Sequence, residues 1–275
     1  MRRAVWWRPR YSGAMATTIY YETAGSGPPL VFIHAGVADS RQWNNEFRDF
    51  SANFCVIRYD MRGYGKSEPL AGKFTHLQDL VDVLDRLDIN EPAILVGCSM
   101  GGSTALDCAL EYPDRVRALV LVDSAPSGLE VDLPVPPKFA LAQEAAQAGD
   151  LARVAEIETQ IWFDGDRATE QVDQAMRELA LAMNSKALEH ALKELGECGP
   201  NTSSPAVERL HELKLPVLAI IGENDIPYMH AAVDVLATKV ANFQKVEIKN
   251  AAHLPNMDQP KVFRQALMAF VQSLR

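Results

Sequence analysis

Short apolar runs alternate with amphipathic stretches along most of this chain, and that alternation constrains its fold more than any other feature. Seven segments read as strands: 17–22 (TTIYYE), 29–34 (PLVFIH), 54–59 (FCVIRY), 93–97 (AILVG), 117–123 (RALVLVD), 217–222 (VLAIIG) and 245–249 (KVEIK). The middle runs are apolar throughout, as strands covered on both faces must be. Between them, Leu77, Leu80, Val81, Leu84 and Leu87 fall on one stripe of a helix. Pro113 stops the helical stretch that begins at Ser103, and Pro260 opens the closing one at a first helical position. The pattern predicts βα units around a mostly parallel sheet.

The alternation breaks from Pro126 to about Pro205. A proline-rich segment, LPVPPK (133–138), leads into stretches rich in Ala, Leu and Glu with no strand signal, and LKLPVLAIIG then resumes the sheet. We expect a core formed by 15–126 and 206–275, with 127–205 inserted as a helical cap over the strand ends, where ligands bind in open α/β sheets. The basic, tryptophan-containing residues 1–14 differ in composition from the rest of the chain and are expected to be a poorly ordered N-terminal extension. Their alternative is an edge strand formed by AVWWR.

A net charge of −9 argues against nucleic acid or an anionic membrane surface as the partner. No apolar run approaches a membrane span. The four cysteines, Cys55, Cys98, Cys108 and Cys198, are scattered without metal-like spacing and read as reduced thiols of a cytoplasmic protein.

Residues 97–101, GCSMG, carry the first chemical signal. A serine nucleophile needs a tight turn between strand and helix, with small residues on either side so that backbones can approach. Glycine is common enough for G-x-S-x-G to arise by chance in roughly one chain in ten of this length, so the preceding strand and following helix supply most of the weight. Register separates the two candidate nucleophiles. Glycines stand two before and two after Ser99, whereas Cys98 would have Val96 and Met100 there. Ser99 is therefore the candidate, and Cys98 a packing residue at the strand end.

A serine needs a base, and the base an orienting acid. The order serine, acid, histidine points to His253, in the loop between the last strand and last helix. His190 and His211 precede the strand that should deliver the acid, and His230 enters a helix. Asp225, just past the strand 217–222, is the expected acid, with Asp123 and Glu223 as rivals. The amide of Met100, at a helix N-terminus, suits an oxyanion, and a second amide should come from the loop FIHAGVADSRQW (32–43).

With these residues placed, the chain resembles the α/β-hydrolase superfamily, in its capped, single-domain, serine esterase-like branch, over roughly residues 17–275. The resemblance rests on the loop His34–Trp43, the DxRGxGxS run Asp60–Ser67, the elbow Gly97–Gly101, and the segments YPDRV (112–116), GENDIP (222–227) and NAAHLPNMDQP (250–260). It implies a seven- or eight-stranded sheet with an inserted helical cap, no cofactor and no metal. It also implies a catalytic set of Ser99, Asp225 and His253, an oxyanion hole from Gly36 and Met100, and loop-holding roles for Asp60 and Arg62. The chain departs from the family pattern at Ala35, where glycine is usual, which leaves Ala35 and Val37 as rivals to Gly36. The expected activity is hydrolysis of carboxylic esters or similar small acyl compounds. Lactone opening, carbon–carbon bond hydrolysis on the same triad, and a low-turnover ligand-binding receptor are the alternatives.

Overall fold

The computed structural model describes residues 19–274. In chain order its elements are β1 (Tyr21–Ala24), β2 (Pro29–Ile33), α1 (Asn44–Phe50), β3 (Cys55–Tyr59), β4 (Lys73–Phe74), α2 (His76–Arg86), β5 (Ala93–Cys98), α3 (Met100–Glu111) and β6 (Val116–Val122). Next come α4 (Lys138–Gln147), α5 (Leu151–Thr159), α6 (Gln174–Ala191), β7 (Glu197–Cys198), α7 (Ala206–Arg209), β8 (Val217–Gly222), α8 (Pro227–Lys239), β9 (Phe243–Ile248), α9 (Pro255–Asp258) and α10 (Pro260–Ser273).

Seven strands form one sheet in the order β1-β3-β2-β5-β6-β8-β9, parallel except for β1, which pairs antiparallel with β3. The mostly parallel sheet flanked by helices is the expected architecture. Its central strands β2, β5 and β8 are buried at every position because helices cover both faces. Alternate residues serve opposite layers. Leu30 and Phe32 pack with Trp43, Phe50, Phe263 and Leu267 on the side of α1 and α10. Val31 and Ile33 pack with Leu80, Leu84, Leu106 and Leu236 on the side of α2, α3 and α8.

Two details differ from the sequence expectations. Residues 17 and 18 of the first expected strand lie outside the described residues, and the described strand covers Tyr21–Ala24, with Tyr21 opposite Tyr59 in its antiparallel register. Residues 127–205 contain helices α4 to α6 but also β7, which pairs parallel with β4 outside the main sheet. Two-residue strands are too short to leave a period in the sequence. The expected N-terminal extension, 1–14, lies outside the described residues.

All the connections that matter for chemistry leave the C-terminal edge of this sheet. There α3 begins almost in contact with the backbone below it. A Cβ at Gly97 would collide with the Gly101 carbonyl, and one at Gly101 with the Ile33 carbonyl of β2. Replacing Gly101 with alanine should therefore push α3 off β2 and cost roughly 1–3 kcal/mol, read as a lower midpoint in urea unfolding with an unchanged slope.

Glu46, on α1, is also buried, with Oε2 accepting from Asn256 Nδ2 at 3.3 Å and Oε1 without a donor among the described residues. Burial pushes its carboxyl up to about 8. The folded state thus binds a proton that the unfolded chain releases near pH 4.5, so this site loses stability as pH rises from about 4.5 to about 8. Glu46→Gln should leave Tm little changed at pH 4.5 and raise it by about 5 °C at pH 8 in paired thermal scans.

Candidate active site

Ser99 follows β5, Asp123 follows β6, Asp225 lies three residues beyond β8, and His253 lies in the loop after β9. Because these strands are parallel, residues far apart in the chain arrive at one edge. Ser99 sits at φ +51° and ψ −116°, a left-handed turn that only a strongly determined backbone holds. Its amide donates to the Val122 carbonyl at 2.9 Å, and its carbonyl accepts from Ser103 N and Ser124 Oγ. The turn is thus clamped to β6 on one side and to α3 on the other. The side chain of neighbouring Cys98 is fully buried, and its Sγ donates to the His253 carbonyl at 3.4 Å. The packing residue at the strand end therefore ties the elbow to the loop that carries the histidine. Burial holds that thiol well above its usual range.

His253 and Asp225 form a buried pair, Nδ1 to Oδ2 at 2.7 Å. The second oxygen of Asp225 accepts the Ile226 amide at 2.7 Å. Burial opposes the charge on Asp225, but His253 and these donors outweigh it and hold the carboxyl below its ordinary value. Nδ1 is thereby committed, which leaves Nε2 as the imidazole's working nitrogen. His253 is fixed twice more: its amide donates to the Trp162 carbonyl at 3.1 Å, and the Trp162 ring lies 4.5 Å from the imidazole. Trp162 belongs to a π-helical turn, Gln160–Asp164, that continues α5.

Of the two rival acids, Glu223 is exposed and bonds Lys249 and the Asn250 amide, away from His253. Asp123 is close, but does not bond the histidine. It is fully buried at φ +44°, Oδ1 accepts the Gly222 amide at 3.0 Å, and ligand-type atoms of Asp123, Asp225 and His253 lie within 4.8 Å of one another. Burial first, then the Asp225 charge, drives the Asp123 carboxyl well above the carboxylate range. A cation bound by these three groups would have to compete with the 2.7 Å Asp225–His253 bond.

On the opposite side, Gly36 packs against Met100: a Cβ there would lie 3.7 Å from Met100 Sδ. The amides of Met100, Gly101 and Gly102 precede the first intrahelical bond, from Ser103 N to Ser99 O. The amide of Ala35 is occupied, donating to Gln42 Oε1 at 2.9 Å, and Gln42 is in turn held by Asn256. Gly36 N and Val37 N have no acceptor among the described residues. His34 donates from Nδ1 to the Ala35 carbonyl and accepts the Met61 amide at Nε2, and burial keeps it neutral. Asp60 accepts the Ser40 and Lys66 amides, and Arg62 pairs with Asp79, so both brace loops. Sequence reasoning missed Gln42, the Cys98 link and the π-turn, each of which has a partner far along the chain.

The buried Asp123 carboxyl makes a stability test. Its folded-state affinity for a proton exceeds the unfolded one, so its contribution is full at pH below about 3.8 and is lost as pH rises above that. Asp123→Asn, which keeps an oxygen for the Gly222 amide and offers N–H to Asp225, should be more thermostable than the parent at pH 8. Near pH 3.5 the two should be alike.

A family model for the alpha/beta hydrolase fold matches residues 28–260. The chain is 32% identical over 223 residues to a 2-hydroxy-6-oxononadienedioate/2-hydroxy-6-oxononatrienedioate hydrolase of Paraburkholderia phymatum, covering 78% of this chain and 76% of that protein. It is 26% identical over 254 residues to 3-oxoadipate enol-lactonase 1 of Acinetobacter baylyi, covering 91% of each. In three dimensions it is similar to a thermophilic esterase from Thermogutta terrifontis, with a TM-score of 0.74 and 24% identity, over 94% of this chain and 96% of the other. These relatives are hydrolases by name, and no helix among the described residues is long and apolar enough to cross a membrane. The chain belongs to the alpha/beta hydrolase fold family.

Proposed function

We propose that the protein is a cofactor-independent serine hydrolase that cleaves carboxylic esters or similar small acyl compounds through a covalent acyl-enzyme. The observation that carries this reading is the buried 2.7 Å bond between Asp225 and His253, on the strand edge that also presents Ser99 in its strained turn. Ser99 Oγ attacks the substrate carbonyl while its proton passes to Nε2 of His253. The new oxyanion is met by the amides of Met100 and Gly36, neighbouring residues whose N–H groups have no competing acceptor among the described residues. Collapse breaks the acyl–oxygen bond, and the proton on Nε2 leaves with the alcohol. Water then repeats the sequence: His253 takes its proton, hydroxide adds to the acyl carbon, and the acid departs as Ser99 is reprotonated. Asp225 stays ionised throughout and balances the imidazolium.

Residues 127–205 serve as the cap in this reading, since Trp162 from that segment lies on the imidazole. The bond cleaved is read as an ester because the set needs only an acyl carbon with a leaving group that accepts a proton. The relatives' names include a lactonase, so a lactone belongs in the same assay, and ring opening there proceeds by identical steps.

Short-chain 4-nitrophenyl esters should be turned over with a burst of about one equivalent, and Ser99→Ala should lose at least about 10³-fold in kcat. Cys98→Ala should keep most activity. Equal turnover by Ser99→Ala and the parent would overturn the reading, and tight ester binding with a single turnover would favour a receptor.

A further inference from the structure

Glu158 stands one turn before Trp162, whose ring lies on His253, and lines the same narrow cavity, about 10 Å³, as Trp162, Val37 and Leu254. Val37 comes directly after Gly36, so this cavity adjoins the oxyanion loop. Tyr64 brings its hydroxyl to 3.9 Å from Sδ of Met100, the residue that packs against Gly36. Burial, then the Cys198 thiol and the Glu158 carboxylate, push the Tyr64 hydroxyl up to about 12, which puts Glu158 within electrostatic reach of the same corner.

The environment of Glu158 is what gives it a consequence. Asn184 Nδ2 donates to Oε2 at 2.8 Å and fixes the carboxylate's orientation. Oε1 has no partner, and no cation pairs with Glu158, among the described residues. The nearby Arg177 is committed to Glu156 and Asp164, and Arg62 to Asp79. A half-buried carboxylate with one oriented, unused oxygen favours a donor or positive charge and repels a negative one.

We infer that Glu158 is a specificity-determining residue of the hydrolytic site proposed above. Its free oxygen accepts from a hydroxyl or ammonium group on the non-reacting end of the substrate, and its charge selects against a carboxylate at that end. The inference rests on the serine hydrolase reading and adds a substrate class to it: neutral, hydroxylated or cationic acyl compounds rather than half-esters of dicarboxylic acids.

The test compares methyl hexanoate, monomethyl adipate and methyl 6-aminohexanoate, and the three acetates that carry the same termini on the alcohol side, on the parent and on Glu158→Gln. Glutamine keeps an oxygen for Asn184, so the link between α5 and α6 survives, and an unchanged Tm checks this. In at least one series the parent should prefer the amine and discriminate against the carboxylate. Glu158→Gln should raise kcat/KM for the carboxylate relative to the neutral ester by about tenfold and erase the preference for the amine. Ratios that stay within about twofold in both series, with the neutral esters still turned over, would overturn this inference alone. Failure of every neutral ester on the parent would instead overturn the hydrolase reading, and this inference with it.

Discussion

The site depends on how closely α3 is allowed to sit on the sheet. With glycine at 97 and 101, the first turn of the helix rests on the carbonyls of β2 and on the end of β5, with no side chain between. That contact puts Met100 against Gly36 and holds Ser99 in a conformation it would not adopt in an open chain. It also leaves the amides of the helix start without intrahelical partners directly after Ser99. Backbone approach comes first, and the reactive geometry is its result.

Charge is distributed unequally over the buried groups around this edge. Three ionisable side chains, Asp123, Asp225 and His253, share a small volume, yet only Asp225 has the donors that keep a carboxylate ionised. Asp123 has one amide donor, and burial raises its carboxyl well above the ordinary value. Glu46, on α1, is likewise kept protonated over much of the ordinary pH range by burial. Each of Asp123 and Asp225 accepts a single backbone amide, so it is the bond to His253 that separates them.

Much of this was legible from the chain alone, for definite reasons. The parallel sheet was visible because strands buried on both faces write uninterrupted apolar runs, as at Leu30–Ile33 and Ile94–Val96. Ser99 was separable from Cys98 because the elbow requires glycine two residues before and two after the nucleophile. Chain order admitted Asp123, Glu223 and Asp225 alike, and the hydrogen bond to His253 is what sets Asp225 apart physically. The residue Gln42 was not legible, since its role is to occupy the Ala35 amide from seven residues away and to meet Asn256 from 214 away. Nor was the π-turn at 160–164, whose residues carry no periodicity of their own and whose partner is the loop at His253. Short β4 and β7 fail for the same reason: two residues define no repeat.

The bond from the His253 amide to the Trp162 carbonyl has a thermodynamic reach beyond holding a loop. It makes the seat of the helical segment and the setting of the imidazole a single linked equilibrium. Displacing the π-turn at Trp162 would therefore release one anchor of His253, and reseating it would restore that anchor.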